Sequence, residues 1–294
     1  MITAAPLQIP ALAVHRSRKM IPKFRLRRPR SPSEAVEMRN EGGNGAVFMA
    51  GGIDLVNRMK LGEPVAEVIY LGGIAGLGTI AETAGTLRLG SLVTHYQLET
   101  SAIVRERFPE LAETWQDVAN IRIRYKGTIG GNIMTADPAY DFTLAAMAAG
   151  AELHFLGIDG TARIVSAMGL KSARPDGLLT AITLPIARRL RLAFDRSLRP
   201  AVSLALGLDL DDGKVVAGRI AIGCAFAVPL AVTLPLNEPL PPREVAQNSA
   251  ILAHDVAVSL PEPANDGHAS AHYRRRMIEV LLRRNLGALA DRIA

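Results

Sequence analysis

The chain carries two glycine pairs in similar settings, Ala50-Gly51-Gly52-Ile53-Asp54-Leu55 and Thr128-Ile129-Gly130-Gly131-Asn132. The first follows the apolar run Ala46–Met49, and each comes close to a predicted helix start. Adjacent glycines permit positive φ and leave backbone N–H groups uncovered. Unpaired N–H groups and the helix dipole also favour negative charge at a helix start. The sequence therefore predicts two anion-binding bends, which together suit an extended ligand with a pyrophosphate in its middle.

Composition narrows the class of protein. The 294 residues are 49% hydrophobic with few aromatics, which favours a protein of helices and strands in two domains, or one domain and an appendage. No apolar stretch approaches the roughly 20 residues that span a bilayer, so we expect a soluble protein. The net charge is +6. The arginine clusters are nevertheless dispersed and lack interleaved aromatics, which argues against nucleic-acid binding.

The chain has a single cysteine, Cys224. One thiol excludes an intramolecular disulfide and an iron–sulfur cluster held by this chain, since such a cluster needs about four thiolates. Cys224 ends the strand-like run Ile220–Cys224, where a buried structural thiol is expected. His95 has no partner at zinc spacing, so we expect a packed histidine and predict no metal site.

The two motifs, in this order and at about this spacing, resemble those of the FAD-binding medium subunit of molybdenum hydroxylases. This is the flavoprotein of the carbon monoxide dehydrogenase and xanthine dehydrogenase group. Neither motif is the Gly-x-Gly-x-x-Gly of a Rossmann fold. Asp137-Pro138 after the second motif fits the family, and Ala269–Arg275 is similar to the Ser-Ala-x-Tyr-Arg-Arg signature of its C-terminal domain. The resemblance covers about residues 20–290.

The resemblance implies an α+β fold. It consists of a two-subdomain FAD-binding fold of the vanillyl-alcohol-oxidase (PCMH) type and a C-terminal α+β domain like that of the carbon monoxide dehydrogenase flavoprotein. We expect subdomain 1 over residues 20–76, subdomain 2 over 77–186 and the C-terminal domain over 187–294. Residues 1–19 are expected to be a mobile extension, because Met20-Ile21-Pro22-Lys23-Phe24 matches the family's usual opening.

The resemblance also implies that FAD lies extended between the two subdomains. Gly51 and Gly52 would offer amides to the pyrophosphate, while the Thr128 hydroxyl and the Asn132 amide would bond phosphate or flavin edges. Asp141 is expected near the ribityl chain or the ring. No catalytic acid or base is expected in this chain. The implied cofactor-binding residues are Ala50, Gly51, Gly52, Asp54, Leu55, Thr94, Thr128, Gly130, Gly131, Asn132 and Asp141.

Several residues near these motifs have competing interpretations. Asp54 is equally suited to contact the ligand or to cap its short helix, whereas Asp137 is expected mainly to be a helix cap. The run Ile121–Arg124 alternates like a strand, but the family has a helix end and a loop there, and we follow the family. Some family members cover the flavin ring with an aromatic residue before the C-terminal hairpin. The stretch Arg196–Pro200 has none, so Arg199 is a candidate substitute.

Caps and turns predict other elements. Ser31 caps a helix with Pro32 at its first position, and Thr94 opens a helix that runs towards Phe108. The turn at 211–213 predicts a hairpin between Val202–Leu210 and Lys214–Cys224. Two further predictions concern the C-terminal part: a Pro-rich linker over Pro229–Pro242, and a last helix with one face formed by Tyr273, Met277, Val280 and Leu281.

The function implied by the family is internal electron transfer in the cytoplasm. A large molybdopterin-binding subunit would hydroxylate the substrate, and a small 2Fe–2S subunit would relay the electrons. FAD in this chain would pass them to an external acceptor, and the complex would be a dimer of heterotrimers. Two alternatives stay open: a self-contained FAD-dependent oxidoreductase with its own substrate pocket, and an interaction subunit that has lost its cofactor.

Overall fold

The computed structural model describes residues 21–116, 118–170, 175–186, 189–196 and 200–293. The expected N-terminal extension, residues 1–19, and the candidate Arg199 lie outside the described residues. Three β-sheets follow one another along the chain, with helices between and after them. In the described ranges, no helix has the length and apolar character that a membrane span requires.

The first sheet is parallel and has three strands, with a helix in each connection. The elements in chain order are β1 Arg25–Arg27, α1 Pro32–Gly42, β2 Ala46–Met49, α2 Ile53–Lys60 and β3 Glu67–Tyr70. The strand order is β1–β3–β2. Helix α1 starts as predicted, because Ser31 Oγ accepts a hydrogen bond from the Glu34 amide and Pro32 follows the cap. This sheet positions the first glycine pair, which directly follows β2.

The second sheet is antiparallel and has five strands. They are β4 Ile80–Thr83, β5 Thr86–Gly90, β6 Glu152–Gly157, β7 Ala162–Ser166 and β8 Gly177–Pro185, in the order β4–β5–β8–β6–β7. Six helices lie between β5 and β6: α3 His95–Thr100, α4 Ala102–Arg107, α5 Pro109–Trp115, α6 Ile121–Lys126, α7 Ile129–Thr135 and α8 Asp141–Ala148. The second glycine pair lies in α7.

The third sheet is also antiparallel and has four strands. They are β9 Arg189–Asp195, β10 Ser203–Asp211, β11 Lys214–Gly223 and β12 Leu230–Thr233, in the order β12–β11–β10–β9. Three helices end the chain: α9 Pro242–Gln247, α10 Ser249–Ser259 and α11 Ala271–Ile293. Strands β10 and β11 form the predicted hairpin.

The largest apolar core belongs to the second sheet and its helices. Trp115 and Phe142 are fully buried there, and their rings meet edge to face with centroids 5.5 Å apart. The same core includes Leu192 of β9 and Ala205 of β10, so the third sheet packs against helix α8. A separate core lies between the third sheet and helices α9, α10 and α11. The first sheet shares its core with Leu178 of β8.

Two predictions for the second unit are wrong. The helix from Thr94 does not run unbroken to Phe108, because Ser101 leaves the helical region and caps the new helix α4 through its hydroxyl. Residues Ile121–Lys126 form a helix, neither a strand nor a loop. Asn120 Oδ1 accepts from the Ile123 amide and caps this helix. In both places a local polar cap decides the structure.

Two predictions for the C-terminal part are also wrong. The stretch Pro229–Pro242 is not a plain linker, because it contains β12 paired with β11. Helix α11 exposes Tyr273 and Val280 of the predicted face. Its buried face is rotated by about one residue and includes Arg274 and Asn285. Buried polar side chains therefore occupy positions that an apolar pattern assigns to the surface, and the Arg274 guanidinium is hydrogen-bonded within the protein.

Candidate cofactor-binding site

The first glycine motif lies against the residues that directly precede the second, although the two motifs are far apart in sequence. Gly51 packs directly against the peptide between Lys126 and Gly127, the two residues before the second motif. A Cβ atom at Gly51 would overlap the Lys126 carbonyl oxygen. The two bends predicted from separate parts of the chain are therefore close together, and Gly51 is required because no side chain fits there.

The first bend presents an open helix start. Gly52 has φ +77°, in the left-handed region, and is the N-cap of α2, where no side-chain hydrogen bond caps the helix. In the part of the chain that the structure describes, the Gly51 and Gly52 amides donate to no acceptor. Uncovered N–H groups at the positive end of a helix dipole favour an anion. The uncovered N–H groups expected of the first motif are therefore present, and their binding of an anion stays a prediction.

The other residues of the first motif have different surroundings. Asp54 is the second residue of α2 and pairs with Arg58 at 3.2 Å, so of its two interpretations the N-cap role is wrong and the ligand contact stays a prediction. Gly52 takes that position because its left-handed conformation starts the helix. Leu55 is buried and anchors α2 to the first sheet together with Met59. Ala50 lies half-buried between β2 and the glycine pair.

The second bend differs from the prediction, because its glycine pair lies inside the first turn of α7. Thr128 is the N-cap, and its Oγ1 accepts from the Gly131 amide at 3.1 Å. The Gly130 amide donates to the Ser91 carbonyl at 2.9 Å. These two amides are thus bonded within the protein, and the expected second set of uncovered N–H groups is absent there. A Cβ atom at Gly130 would overlap the Ser91 carbonyl oxygen, so this glycine permits close packing.

Thr94 holds helix α3 against the second motif. It forms a complete capping box with Gln97, whose amide donates to Thr94 Oγ1 at 3.1 Å and whose Oε1 accepts from the Thr94 amide at 2.9 Å. Thr94 also forms a β-bridge with Thr128. The next residue, His95, is buried and accepts a hydrogen bond from Trp115 Nε1 at its Nδ1. Burial and Arg124 lower the pKa of His95 to about 4, so it is a neutral packed histidine at pH 7.

Asn132 and Asp141 connect the second motif to helix α8. Asn132 Oδ1 accepts from the Thr143 amide at 3.2 Å and lies 3.3 Å from the Thr143 hydroxyl. Asp141 is buried at the first position of α8, and its Oδ2 accepts from Arg196. Among the described residues, Asp141 Oδ1 has no hydrogen-bond partner. A buried carboxylate oxygen with a free lone pair is available to a donor group of a ligand.

The sequence predicts Asp137 mainly as a helix cap, but Asp137 does not cap helix α8. Its Oδ1 accepts from the Ala139 amide at 2.8 Å and closes a local turn before the helix, whose N-cap is Tyr140. Burial raises the pKa of Tyr140, and the nearby Asp54 and Asp137 carboxylates raise it further. The Asp54 carboxylate of α2 is thus close enough to the Tyr140 hydroxyl to act on it through its charge.

These residues fit FAD. The open start of α2 suits the pyrophosphate, and Asp141 Oδ1 suits a hydroxyl or ring N–H donor of the cofactor. In the described part of the chain, no group of three or more His, Cys, Asp or Glu side chains is arranged to hold a metal ion. The fold and the site together define a class of protein, an FAD-binding unit with an attached C-terminal α+β domain.

Comparisons with known proteins agree with that class. The family model described as the FAD binding domain in molybdopterin dehydrogenase matches residues 22–187. The carbon monoxide dehydrogenase medium chain of Afipia carboxidovorans is 31% identical over 287 residues, covering 90% of this chain and 96% of that protein. The nicotine 6-hydroxylase medium subunit of Paenarthrobacter nicotinovorans is 27% identical, covering 90% of this chain and 97% of that protein.

A solved structure shows the same architecture over nearly the whole chain. It is the carbon monoxide dehydrogenase from Hydrogenophaga pseudoflava that lacks the Mo-pyranopterin moiety, with a TM-score of 0.83 and 27% identity. The match covers 94% of this chain and all of the compared chain. The chain belongs to the family of FAD-binding medium subunits of molybdenum hydroxylases, and it is an FAD-dependent electron-transfer subunit. The resemblance and the α+β fold class inferred from the sequence are confirmed.

Asp141→Asn should change how stability depends on pH. Burial raises the pKa of Asp141 to about 6 from an ordinary value of 3.8, against the opposing effect of Arg196. The folded protein thus retains a proton that the unfolded chain releases. The stability that Asp141 contributes is complete below about pH 4 and is lost as the pH rises through about 6. Its ionisation costs about 3 kcal/mol at neutral pH.

The measurement is the free energy of unfolding of wild type and Asp141→Asn at pH 5 and pH 7. Relative to wild type, the variant should be more stable at pH 7 than at pH 5 by about 1 kcal/mol. Asp137→Asn is the control, because it removes a less buried carboxylate from the loop just before α8 and keeps an oxygen for the Ala139 amide. A constant difference between wild type and Asp141→Asn across this range would contradict the raised pKa.

Proposed function

We propose that this chain receives electrons from a small 2Fe–2S subunit and passes them to an external acceptor, in a complex whose large subunit binds molybdopterin and hydroxylates the substrate. Bound FAD would supply the redox chemistry, and the protein would supply binding, orientation and electrostatics. The observation that carries this proposal is the contact between Gly51 and the Lys126–Gly127 peptide, which brings the first glycine motif against the residues directly before the second. The single cysteine supports it, because a cluster must then lie on another polypeptide.

We further propose roles for the residues of the site. The Gly51 and Gly52 amides hold the pyrophosphate together with the backbone of Ala50 and, at the start of α2, the backbone of Asp54 and Leu55. Asp141 Oδ1 accepts a hydrogen bond from the ribityl chain or the flavin ring. The opposite wall consists of residues that shape the backbone and are themselves fixed by internal hydrogen bonds. These residues are Thr94, Thr128, Gly130, Gly131 and Asn132.

The organisation of the chain and of its complex is also proposed. Each of the three sheets lies within one of the segments 20–76, 77–186 and 187–294, which we propose as the two FAD-binding subdomains and the C-terminal domain. Relatives named as medium chains or medium subunits support a large and a small partner. We propose that this chain, one large subunit and one small subunit form a heterotrimer and that two heterotrimers pair. We also propose that the complex works in the cytoplasm.

Affinity purification of the tagged full chain from its native host tests the proposal. A large molybdopterin-binding polypeptide and a small cysteine-rich one should accompany it, and the isolated complex should show flavin absorbance that bleaches when the substrate of the large subunit is added. A chain that purifies alone, and whose flavin is reduced by an organic substrate without partners, would contradict the proposal.

The self-contained oxidoreductase remains the second candidate, because the structure contains a cavity of about 390 Å³. The cavity lies between helix α5, the end of β9 and helix α11, and its lining includes Glu110, Phe194, Arg196 and Asn285. Its volume lies in the range of small-molecule sites. Arg292 lies at the rim of this cavity, and Arg292→Glu tests the role of the cavity by comparison with wild type. If the cavity binds an organic substrate, that substrate should reduce the flavin of wild type but not the flavin of the variant.

A further inference from the structure

Arg274 of the C-terminal signature is almost completely buried, with an exposed fraction of 3%. Its guanidinium joins three segments that are far apart in sequence. Nη1 donates to the carbonyls of Ala201 and Cys224, each at 2.5 Å. Nη2 donates to both carboxylate oxygens of Asp266 at 2.8 Å. The arginine guanidinium is planar and carries several N–H donors, so it can bind all of these acceptors at once.

The Cys224 carbonyl that Arg274 holds belongs to a residue in an unfavourable backbone conformation. The expected strand stops at Gly223, and Cys224 has φ +62°, in the left-handed region that non-glycine residues seldom adopt. Such a conformation is energetically unfavourable and persists only where its surroundings impose it. The hydrogen bond from Arg274 is one such constraint, because it fixes the direction of the Cys224 carbonyl.

The left-handed Cys224 in turn reaches the cofactor site. Its amide donates to the Pro138 carbonyl at 2.9 Å, and its Sγ lies 3.6 Å from the same oxygen. The preceding residue is Gly223, where a Cβ atom would overlap that oxygen. Pro138 lies in the loop between α7 and α8, which carries Asp137 and leads to Asp141. One guanidinium of the C-terminal domain is therefore two hydrogen bonds from the loop that leads to Asp141.

We propose that Arg274 is a positioning residue for the cofactor site. It fixes the left-handed Cys224, whose amide holds the Pro138 carbonyl and with it the loop before Asp141. The same guanidinium holds Ala201, five residues beyond the Arg196 that pairs with Asp141. The C-terminal domain thereby completes the site from within the same chain. The link to FAD rests on the proposed function, whereas the link from Arg274 to Cys224 and Pro138 does not.

The neighbouring Arg275 provides a matched control. It lies on the same helix and also makes several hydrogen bonds, to the carbonyls of Ala257, Leu260 and Pro261 and to Glu262. All of these partners belong to the end of α10 and the segment after it, and none lies in the loop before Asp141. Arg275→Met should therefore destabilise the C-terminal domain without affecting the cofactor site.

The first experiment needs no cofactor. Cys224 is the only cysteine of the chain and is half-buried, so its reaction with 5,5′-dithiobis(2-nitrobenzoate) reports on one position. In the full-length Arg274→Met variant, Cys224 should react at least about 10-fold faster than in wild type. In Arg275→Met the reaction rate should stay within about 2-fold of wild type. Equal rates in the two variants would overturn the link between Arg274 and Cys224.

The second experiment measures FAD affinity of the same proteins by titration calorimetry. Arg274→Met should raise the Kd for FAD by about 10-fold or more, and Arg275→Met should leave it within about 2-fold. Arg274→Lys serves if the methionine variant does not fold, since an ammonium cannot replace the fork and should show the same direction with a smaller effect. An Arg274 variant with a wild-type Kd would overturn the positioning role.

The two measurements separate this inference from the proposed function. If wild type does not bind FAD, the proposed function fails, and the thiol reaction still decides whether Arg274 controls Cys224. If wild type binds FAD and both arginine variants lose affinity equally, the effect is general destabilisation and the inference is wrong.

Discussion

Replacing Arg219 with methionine should lower the free energy of unfolding by about 3–5 kcal/mol. Arg219 of β11 donates to both carboxylate oxygens of Asp209, at 2.7 and 2.6 Å, and its Nε donates to the Ala148 carbonyl at 2.9 Å. The Asp209 side chain is 2% exposed. Removal of the guanidinium would leave a buried carboxylate without its main partner, and would also remove a cation from the C-terminal end of helix α8.

The position of this ion pair gives it structural importance beyond a single contact. Ala148 ends helix α8 of the second unit, whereas Arg219 and Asp209 belong to the third sheet. Gly207 packs so closely here that a Cβ atom would overlap the Ala148 carbonyl oxygen. Through its hydrogen bond to the Ala148 carbonyl, Arg219 connects the C-terminal sheet to helix α8, which begins with Asp141. Loss of the pair should loosen this junction as well as lower overall stability.

Two further variants test the physical reason. Arg163→Met removes an exposed partner of Asp159 in a pair whose side chains are 45% and 46% exposed, so it should cost less than about 1 kcal/mol. The double variant Asp209→Leu/Arg219→Met removes both buried charges and should recover much of the loss, because no unpaired charge remains. Urea unfolding of the four proteins measures these differences. A cost for Arg219→Met no larger than that for Arg163→Met would contradict the explanation.

Much of the fold follows from local signals in the sequence. Ser31 and Thr94 start helices because their hydroxyls accept the amide three residues later, whatever surrounds them. The Asp-Gly turn at 212–213 and the flanking apolar runs predict the hairpin of β10 and β11. The helix break at Ser101 is also a local effect. The sequence does not predict this break, because a serine within a helical pattern can continue the helix or cap a new one. In the structure the Ser101 hydroxyl caps a new helix.

The site was less predictable, because distant partners decide it. A glycine pair indicates a close backbone approach, but no pattern names Lys126 as the neighbour of Gly51. The partner of Asp141 is Arg196, 55 residues later, and a charged residue in sequence is usually solvated. Arg274 is buried on α11 because it binds distant carbonyls, and Asn285 is buried on the same helix, so the apolar pattern gave the wrong face. The family signature around Arg274 was the one available indication of its special role.

Gly51→Ala should abolish tight FAD binding while most of the fold is retained. The new methyl group would overlap the Lys126 carbonyl oxygen, and backbone on both sides fixes the two segments. Gly51 follows the strand β2, and Lys126 ends a helix that is followed directly by the capped start of α7. Overpacking of this kind costs about 1–3 kcal/mol, and here the strain is relieved only if the two walls of the site separate. We expect the Kd for FAD to rise about 10- to 100-fold.

Substitutions at two other glycines of the same subdomain show whether steric overlap of the added Cβ atom, rather than another effect of the change to alanine, causes the loss of affinity. At Gly73 the nearest atom to an added Cβ is the Pro29 carbonyl oxygen at 3.6 Å, an ordinary contact, so Gly73→Ala should bind FAD like wild type. At Gly52 there is room for a methyl group, with the nearest atom at 3.5 Å, but φ is +77°. Gly52→Ala should therefore cost about 1–2 kcal/mol of backbone strain and act on the helix start alone.

Calorimetric titration with FAD and thermal unfolding of the three variants decide between these causes. If the approach of the two motifs forms the site, Gly51→Ala loses the most affinity although its melting temperature falls no further than that of Gly52→Ala. Affinities that follow melting temperature across the series would mean that the variants act through general stability. A wild-type Kd for Gly51→Ala would show that FAD does not depend on the contact between the motifs, and the proposed site would have to be abandoned.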